Sequence, residues 1–148
     1  MSQERSPIPA TDQVRARIEE WLDAVRAGDL DRLTRHYAPE AIVFDAVTNL
    51  QFRGGEDCRQ HWAGRVSGGS DPVALELHAL RIDADGALSL SHCLIRCSAS
   101  DPSGRERVAW LRATTSHRRT AGFWQITHQH LSMPVDMHAG EARMALIT

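Results

Sequence analysis

From Thr11 to Ala27 apolar side chains return every three or four positions, at Val14, Ile18, Trp21, Leu22 and Val25. That is the period of one helix face, with Thr11 or Asp12 as its cap and Gly28 as its stop. Asp29 can cap a second, shorter helix that carries Leu30, Leu33 and Tyr37 on one side and stops at Pro39. Ala41 to Asp45 (AIVFD) reads as a short strand, with Asn49 to Arg53 as its hairpin partner. Gly54-Gly55 opens a third helix, in which Cys58, His61, Trp62 and Val66 recur at helical spacing and which Gly68-Gly69 closes. Beyond it the pattern is that of strands. Val73 to Ile82 is one, Asp83 to Gly86 a turn, and Ala87 to Ser98 the next, with Leu88, Leu90, His92, Leu94 and Arg96 on one face.

The stretch from Arg107 to Ser132 predicts a long hairpin. Val108, Trp110, Leu111, Thr114 and Thr115 precede a turn at Ala121-Gly122, and Phe123, Trp124, Ile126, Thr127 and Leu131 follow it. Alternation groups Trp110, Arg112, Thr114 and Ser116 in one set and His128, His130 and Ser132 in another. A three-residue loop, Thr120 to Gly122, puts Arg112 opposite His130 and Thr114 opposite His128. A two-residue loop puts Arg112 opposite Leu131, and a slip of one residue reverses a strand's faces. The three-residue loop, with Gly122 as its bulge glycine, is the expectation.

Helices gathered before a four-strand antiparallel meander argue an α+β fold. Such a sheet can curl around the helices into an open cone, whose mouth suits a small apolar organic ligand. Residues 1–10, with two prolines and no periodicity, read as a disordered lead-in. Residues 11–134 read as the domain and 135–148 as a tail without a strong period, suited to packing across a partner subunit.

Composition narrows the function. The chain has 148 residues, 42% of them hydrophobic, and a formal charge of −2, which fits one ordinary globular domain. No basic run stands out, so no nucleic-acid partner is expected. All 17 basic residues are Arg, which excludes a Schiff-base lysine. No signal-type segment or apolar run of membrane length appears, so a cytoplasmic location and no membrane partner are expected. Cys93 and Cys97 sit roughly 13 Å apart along one strand, too far for a disulfide, and read as packed thiols.

Three segments together resemble a known family. GDLDRLTRHYAPEAIVFD combines a helix ending in Gly-Asp, a Tyr-Ala-Pro-acidic break and a short strand. FRGGEDCRQHW and GFWQITHQHLSMP follow in the expected order, along with the W-x-R-x-T of Trp110, Arg112 and Thr114 and a closing H-x-H-x-S. The chain resembles the NTF2-like superfamily, in its SnoaL-like and ketosteroid isomerase-like branch. The resemblance implies an α+β cone with three N-terminal helices packed in a curved antiparallel sheet. It also implies homodimers paired back to back through the sheet, with Thr115, His117, Gln125 or Thr127 on the contact face.

In ketosteroid isomerase the proton-shuttling Asp ends the first short strand, and Asp45 holds that place here. The resemblance puts Trp21 at the family's oxyanion-hole Tyr and Thr114 near its protonated Asp, so both donors are lost and steroid isomerisation by that mechanism does not follow. Asp45, after Ile42, Val43 and Phe44, can be a general base with a raised pKa or a turn cap at a strand end. His130 and Arg112 can join it as acid–base partner and anion binder, or form a structural hydrogen-bond network. Thr114, Trp110, Tyr37, His92, Trp62 and His128 are the expected pocket lining. His128 and His130 also have the spacing of two metal ligands on a strand, to which Asp45 or His92 could add a third. Neither metal nor cofactor is expected, because the resembled families mostly work without metal. The expected activity is proton transfer on an apolar or polyketide-like substrate, giving isomerisation, cyclisation or dehydration. The alternative is a non-catalytic ligand-binding or accessory protein.

Overall fold

Tyr37 is where the chain changes from helix to sheet, earlier than its apolar pattern predicts. The structure, a computed structural model, describes residues 6–47, 49–66, 74–138 and 141–142. Helix α1 spans Ala10–Ala27 and ends on Gly28, whose φ of 63° provides the left-handed stop expected of it. Its N-terminal cap position is Pro9, with no side-chain cap bond, in place of Thr11 or Asp12. Helix α2, Leu30–Arg35, is capped by Asp29, whose carboxylate accepts the Arg32 N–H at 3.1 Å. It stops before Tyr37, which begins strand β1 (Tyr37–Phe44). Pro39 thus lies within a strand, in the span where the pairing register shifts between Tyr37 and Ile42. An irregular span tolerates a residue with no N–H to give.

Strand β2 is only Phe52–Arg53, and helix α3 is Glu56–Val66. Then come β3 (Ala74–Asp85), β4 (Leu88–Ser100), β5 (Glu106–Thr120) and β6 (Phe123–Ser132). Two-residue strands β7 (Val135–Asp136) and β8 (Glu141–Ala142) pair with each other. The predicted start at Val73, the closing Gly68-Gly69, most of the tail and the first half of the lead-in lie outside the described residues.

The main sheet has the order β2-β1-β6-β5-β4-β3. The meander is antiparallel as expected, but β1 runs parallel to β6, so the sheet is mixed rather than antiparallel. Only α1 and α2 precede it in sequence; α3 enters after β2. The inner face holds the core: Ala41 and Val43 of β1, Cys93 and Ile95 of β4, Ala113 of β5 and Ile126 and Leu131 of β6 pack with Trp21, Leu22, Leu33 and Trp62.

The β5–β6 hairpin corrects the predicted loop. Thr120 pairs with Phe123, leaving a two-residue loop of Ala121 (φ 51°) and Gly122 (φ 83°). Positive φ at both positions is the turn that matches strand twist. The register then shifts between Ser116 and His117, with Thr127 as the extra residue on β6. Thr127 bonds the Ser116 hydroxyl at 2.8 Å. Past this bulge Thr114 faces His130, Ser116 faces His128 and Arg112 faces Ser132. The bulge keeps Trp124, Ile126, Gln129 and Leu131 all buried on one side, which an unbroken strand could not do.

Candidate functional site

Asp45 follows β1 directly and continues the inward alternation of Ala41 and Val43. Its side chain is 1% exposed and that of His61 4%, with Oδ2 and Nε2 3.5 Å apart. Asp45 Oδ1 accepts the Ala46 N–H at 2.8 Å. His61 belongs to the inward stripe of α3, beside Cys58 and Trp62, both buried. Its ring stacks on Phe52, with centroids 4.1 Å apart and planes 19° apart, and meets Trp62 edge-on at 5.6 Å. Asn49 Nδ2 lies 3.4 Å from His61 Nδ1. An amide nitrogen only donates, so that contact is a hydrogen bond when Nδ1 carries the lone pair and the ring proton is on Nε2, the nitrogen 3.5 Å from the Asp45 carboxylate.

Next to the pair runs a buried polar line. Trp21 Nε1 donates to the Tyr37 hydroxyl at 2.9 Å, and that hydroxyl donates to Gln129 Oε1 at 2.6 Å. Gln129 Nε2 reaches the Thr115 hydroxyl at 3.4 Å. Burial holds the Tyr37 phenol well above its usual range, the Cys58 thiol adds to the effect and the Trp21 bond opposes it. Burial likewise pushes the Cys58 thiol up to about 12 and Cys93 to about 11, so neither is a thiolate nucleophile at neutral pH. Between α1 and the sheet, Ile18, Trp21, Ser91, Thr115, His117 and Gln129 help line a void of about 10 Å³, the space of one water molecule. Both His117 ring nitrogens are buried at this void with no protein hydrogen-bond partner.

The expected trio of Asp45, His130 and Arg112 is not brought together. His130 pairs with Phe44, whose side chain points outward, whereas the next residue, Asp45, points inward. Arg112, Thr114 and His130 are exposed on the outer face of the sheet, and Arg112 Nε donates to Ser132 Oγ at 3.0 Å. His92 is on the same outer face, opposite Thr114, and Trp110 is there too, edge-on to His78 at 5.1 Å. His128 Nδ1 donates to the Ile42 carbonyl at 2.7 Å and its ring meets Phe44 at 4.8 Å. Asp45 is therefore across the sheet from His128 and His130, and the candidate metal set does not converge. Of the expected lining, Tyr37 and Trp62 are inside. Thr115 and His117, expected on an outer contact face, are inside as well.

His61, Phe52 and Gln129 are the site residues that sequence reasoning passes over. The available signal was His61 itself, a polar ring in the apolar stripe of Cys58 and Trp62. Such a position needs a polar partner, and the strand end at Asp45 offers one.

Two helices against a curved mixed sheet, a third helix closing one end, and an acid–histidine pair at the end of the first strand define a cone-shaped α+β domain of the NTF2-like class. The chain belongs to the SnoaL-like domain family, which matches residues 14–136. Among solved structures it is similar to an NTF2-like protein of unknown function from Pseudomonas putida KT2440, at 36% identity and a TM-score of 0.85, over 94% of this chain and 96% of that one. A proposed dehydratase of the NTF2-like family from Streptomyces avermitilis shares the fold at 16% identity and a TM-score of 0.72, over 82% and 93%. So does the CaMKII hub of S. rosetta, at 20% identity and a TM-score of 0.74, over 86% and 98%. No curated protein matches the chain. Among the described residues no helix is long and apolar enough to cross a membrane.

Proposed function

We propose that the protein takes a small, largely apolar organic molecule, of polyketide-like character, into its interior and transfers a proton on it. Asp45 is the base and His61 its proton partner. The buried contact between these two side chains carries the reading. Isomerisation, cyclisation and dehydration all begin with removal of a proton beside a carbonyl and end with its delivery elsewhere, which a carboxylate–imidazole pair can serve in both directions. Phe52 stacks on His61 and Trp62 packs against both His61 and Trp21, which gives the pair an aromatic surround suited to an apolar substrate. The likeness to a proposed dehydratase agrees with this class. Arg112 and His130, on the outer face, have no part in this chemistry.

The test is deuterium wash-in. Wild type is incubated in D₂O with a panel of enolisable ketones and β-hydroxy ketones, and exchange is followed by mass spectrometry. Asp45→Asn is expected to slow exchange by about 10²- to 10⁴-fold and His61→Gln by less, with ligand retained in native mass spectra. Equal exchange in wild type and Asp45→Asn would sink the reading.

A second reading rests on the outer face, where Phe44, Leu88, Leu90 and Leu94 are 38–53% exposed. Exposed apolar side chains on one sheet face suit an interface, so in this reading the protein assembles as a homodimer through its sheet and its interior serves ligand binding without turnover. Bound ligand in both variants with no exchange in either favours this reading, and a Leu90→Glu variant is expected to run as a monomer in light scattering.

A further inference from the structure

A cleft opens beside the middle of α1, with none of its lining residues belonging to the Asp45–His61 pair. It has a volume of about 500 Å³, in the range of small-molecule sites, and is formed by α1, α2 and the start of β6. Its charge is one-sided. Arg17, Arg32 and Arg35 line it against one carboxylate, Glu20, which Arg32 engages at 2.8 Å.

The other two guanidiniums are held by neutral groups. Arg17 Nε donates to the Trp124 carbonyl at 3.1 Å and Arg35 Nε to the Asp31 carbonyl at 3.0 Å, while the Asp31 carboxylate is engaged by Arg59. Among the described residues neither Arg17 nor Arg35 has a carboxylate within ion-pair distance. Arg17 is half-buried, and its removal from water lowers its pKa. Glu20 is close enough to favour the charged form of Arg17 but is itself engaged by Arg32, so positive charge is in excess in the cleft and an anion would relieve it.

The cleft wall adds a second feature. His36 is only 3% exposed, lines the cleft, and its Nδ1 has no hydrogen-bond partner. Burial and then the charges of Arg17, Arg32 and Arg35 push its pKa down to about 4. The ring is therefore neutral at pH 7 and able to donate to a ligand oxygen without adding repulsion. Phe123, 66% exposed, and Ala121 give the cleft an apolar rim.

We propose that this cleft binds a small organic carboxylate, whose charged end lies between Arg17 and Arg35 with the His36 ring as a hydrogen-bonding neighbour and whose apolar body rests on Phe123. A guanidinium matches the planar carboxylate better than it does a neutral polar group.

The probes are octanoate and 4-phenylbutyrate, their neutral alcohols, and inorganic phosphate, titrated into the full chain by NMR and calorimetry. Both carboxylates are expected to bind, more weakly as salt rises, and to shift the His36 titration upward. Arg35→Gln, an exposed position, is expected to weaken them at least tenfold, and Arg17→Gln as much or more. Arg107→Gln, remote from the cleft, is the control and is expected to change nothing. Alcohols binding as tightly as the acids would overturn the proposal, as would carboxylate binding unaltered in Arg35→Gln. Phosphate binding as tight as that of the carboxylates would overturn the apolar-body assignment, and no binding by any probe would overturn the whole.

Discussion

The Tyr37 hydroxyl joins Trp21 to Gln129, accepting from one at 2.9 Å and donating to the other at 2.6 Å, with all three side chains buried. One oxygen thereby satisfies helix α1 and the last strand of the main sheet together. Tyr37→Phe leaves an indole N–H and an amide oxygen buried without that partner. Each orphan costs about 1–3 kcal/mol, so a loss of about 2–4 kcal/mol is expected in urea unfolding. A variant as stable as wild type would show that water replaces the hydroxyl.

Acid sensitivity is expected to come from histidines before carboxylates. Burial, then the neighbouring arginines, lowers the His36 pKa to about 4. Burial, then His36 and Arg17, does the same for His117. The unfolded chain takes up these protons near pH 6.5 and the folded chain only near pH 4, so stability is complete above pH 6.5 and falls as pH drops toward 4. Each histidine accounts for at most about 3 kcal/mol over that window. Asp31 and Asp101, whose pKa values are lowered chiefly by hydrogen bonds from Arg59 and Ser103, act only below it. Urea midpoints at pH 7.5, 6 and 5 check the slope, and His117→Gln is expected to flatten it.

Gly54 is fixed by a close approach. A Cβ built on it would lie 2.0 Å from the Ala38 carbonyl oxygen and 3.1 Å from that of Pro39, both main-chain atoms that cannot swing aside. Gly54→Ala is expected to cost about 2–3 kcal/mol and to lower the thermal midpoint, since the start of β1 must move. An unchanged midpoint would mean that the Ala38–Pro39 backbone is soft.

At the β5–β6 turn the strain is at Ala121, an alanine at φ 51°. Asparagine tolerates that region, and Asn-Gly is the preferred pair for this turn. Ala121→Asn is expected to raise stability by about 0.5–1 kcal/mol, and Gly122→Ala, at φ 83°, to lower it by about 1 kcal/mol. Thermal melts of the pair measure both signs.

Much of this architecture is written in local patterns. Val14, Ile18 and Trp21 mark the buried stripe of α1, and alternation in Leu88 to Ile95 marks the two faces of β4. The sets Arg112–Thr114 and His128–His130 do share a face, but which face is decided elsewhere. Alternation is symmetric, and only the inward demands of Ala113, Thr115, Gln129 and Leu131 choose between the sides. The Thr127 bulge is likewise invisible to a period-two reading, because it is set by pairing with β5 and not by β6 alone. Asp45 was legible from its place at a strand end. Its partner was marked only by a polar ring in an apolar stripe, since His61 sits sixteen residues on in a helix whose packing no local pattern fixes.

The parallel pairing of β1 with β6 has a consequence for synthesis. The strand that leads to Asp45 has a two-residue neighbour on one side, and its long neighbour is made some eighty residues later. Until residues 123–132 leave the ribosome, Ala41 and Val43 have no completed sheet to enter, and the interior stays open to water. A nascent chain halted before Phe123 therefore offers an unzipped edge to chaperones, and a premature stop there yields no smaller working domain.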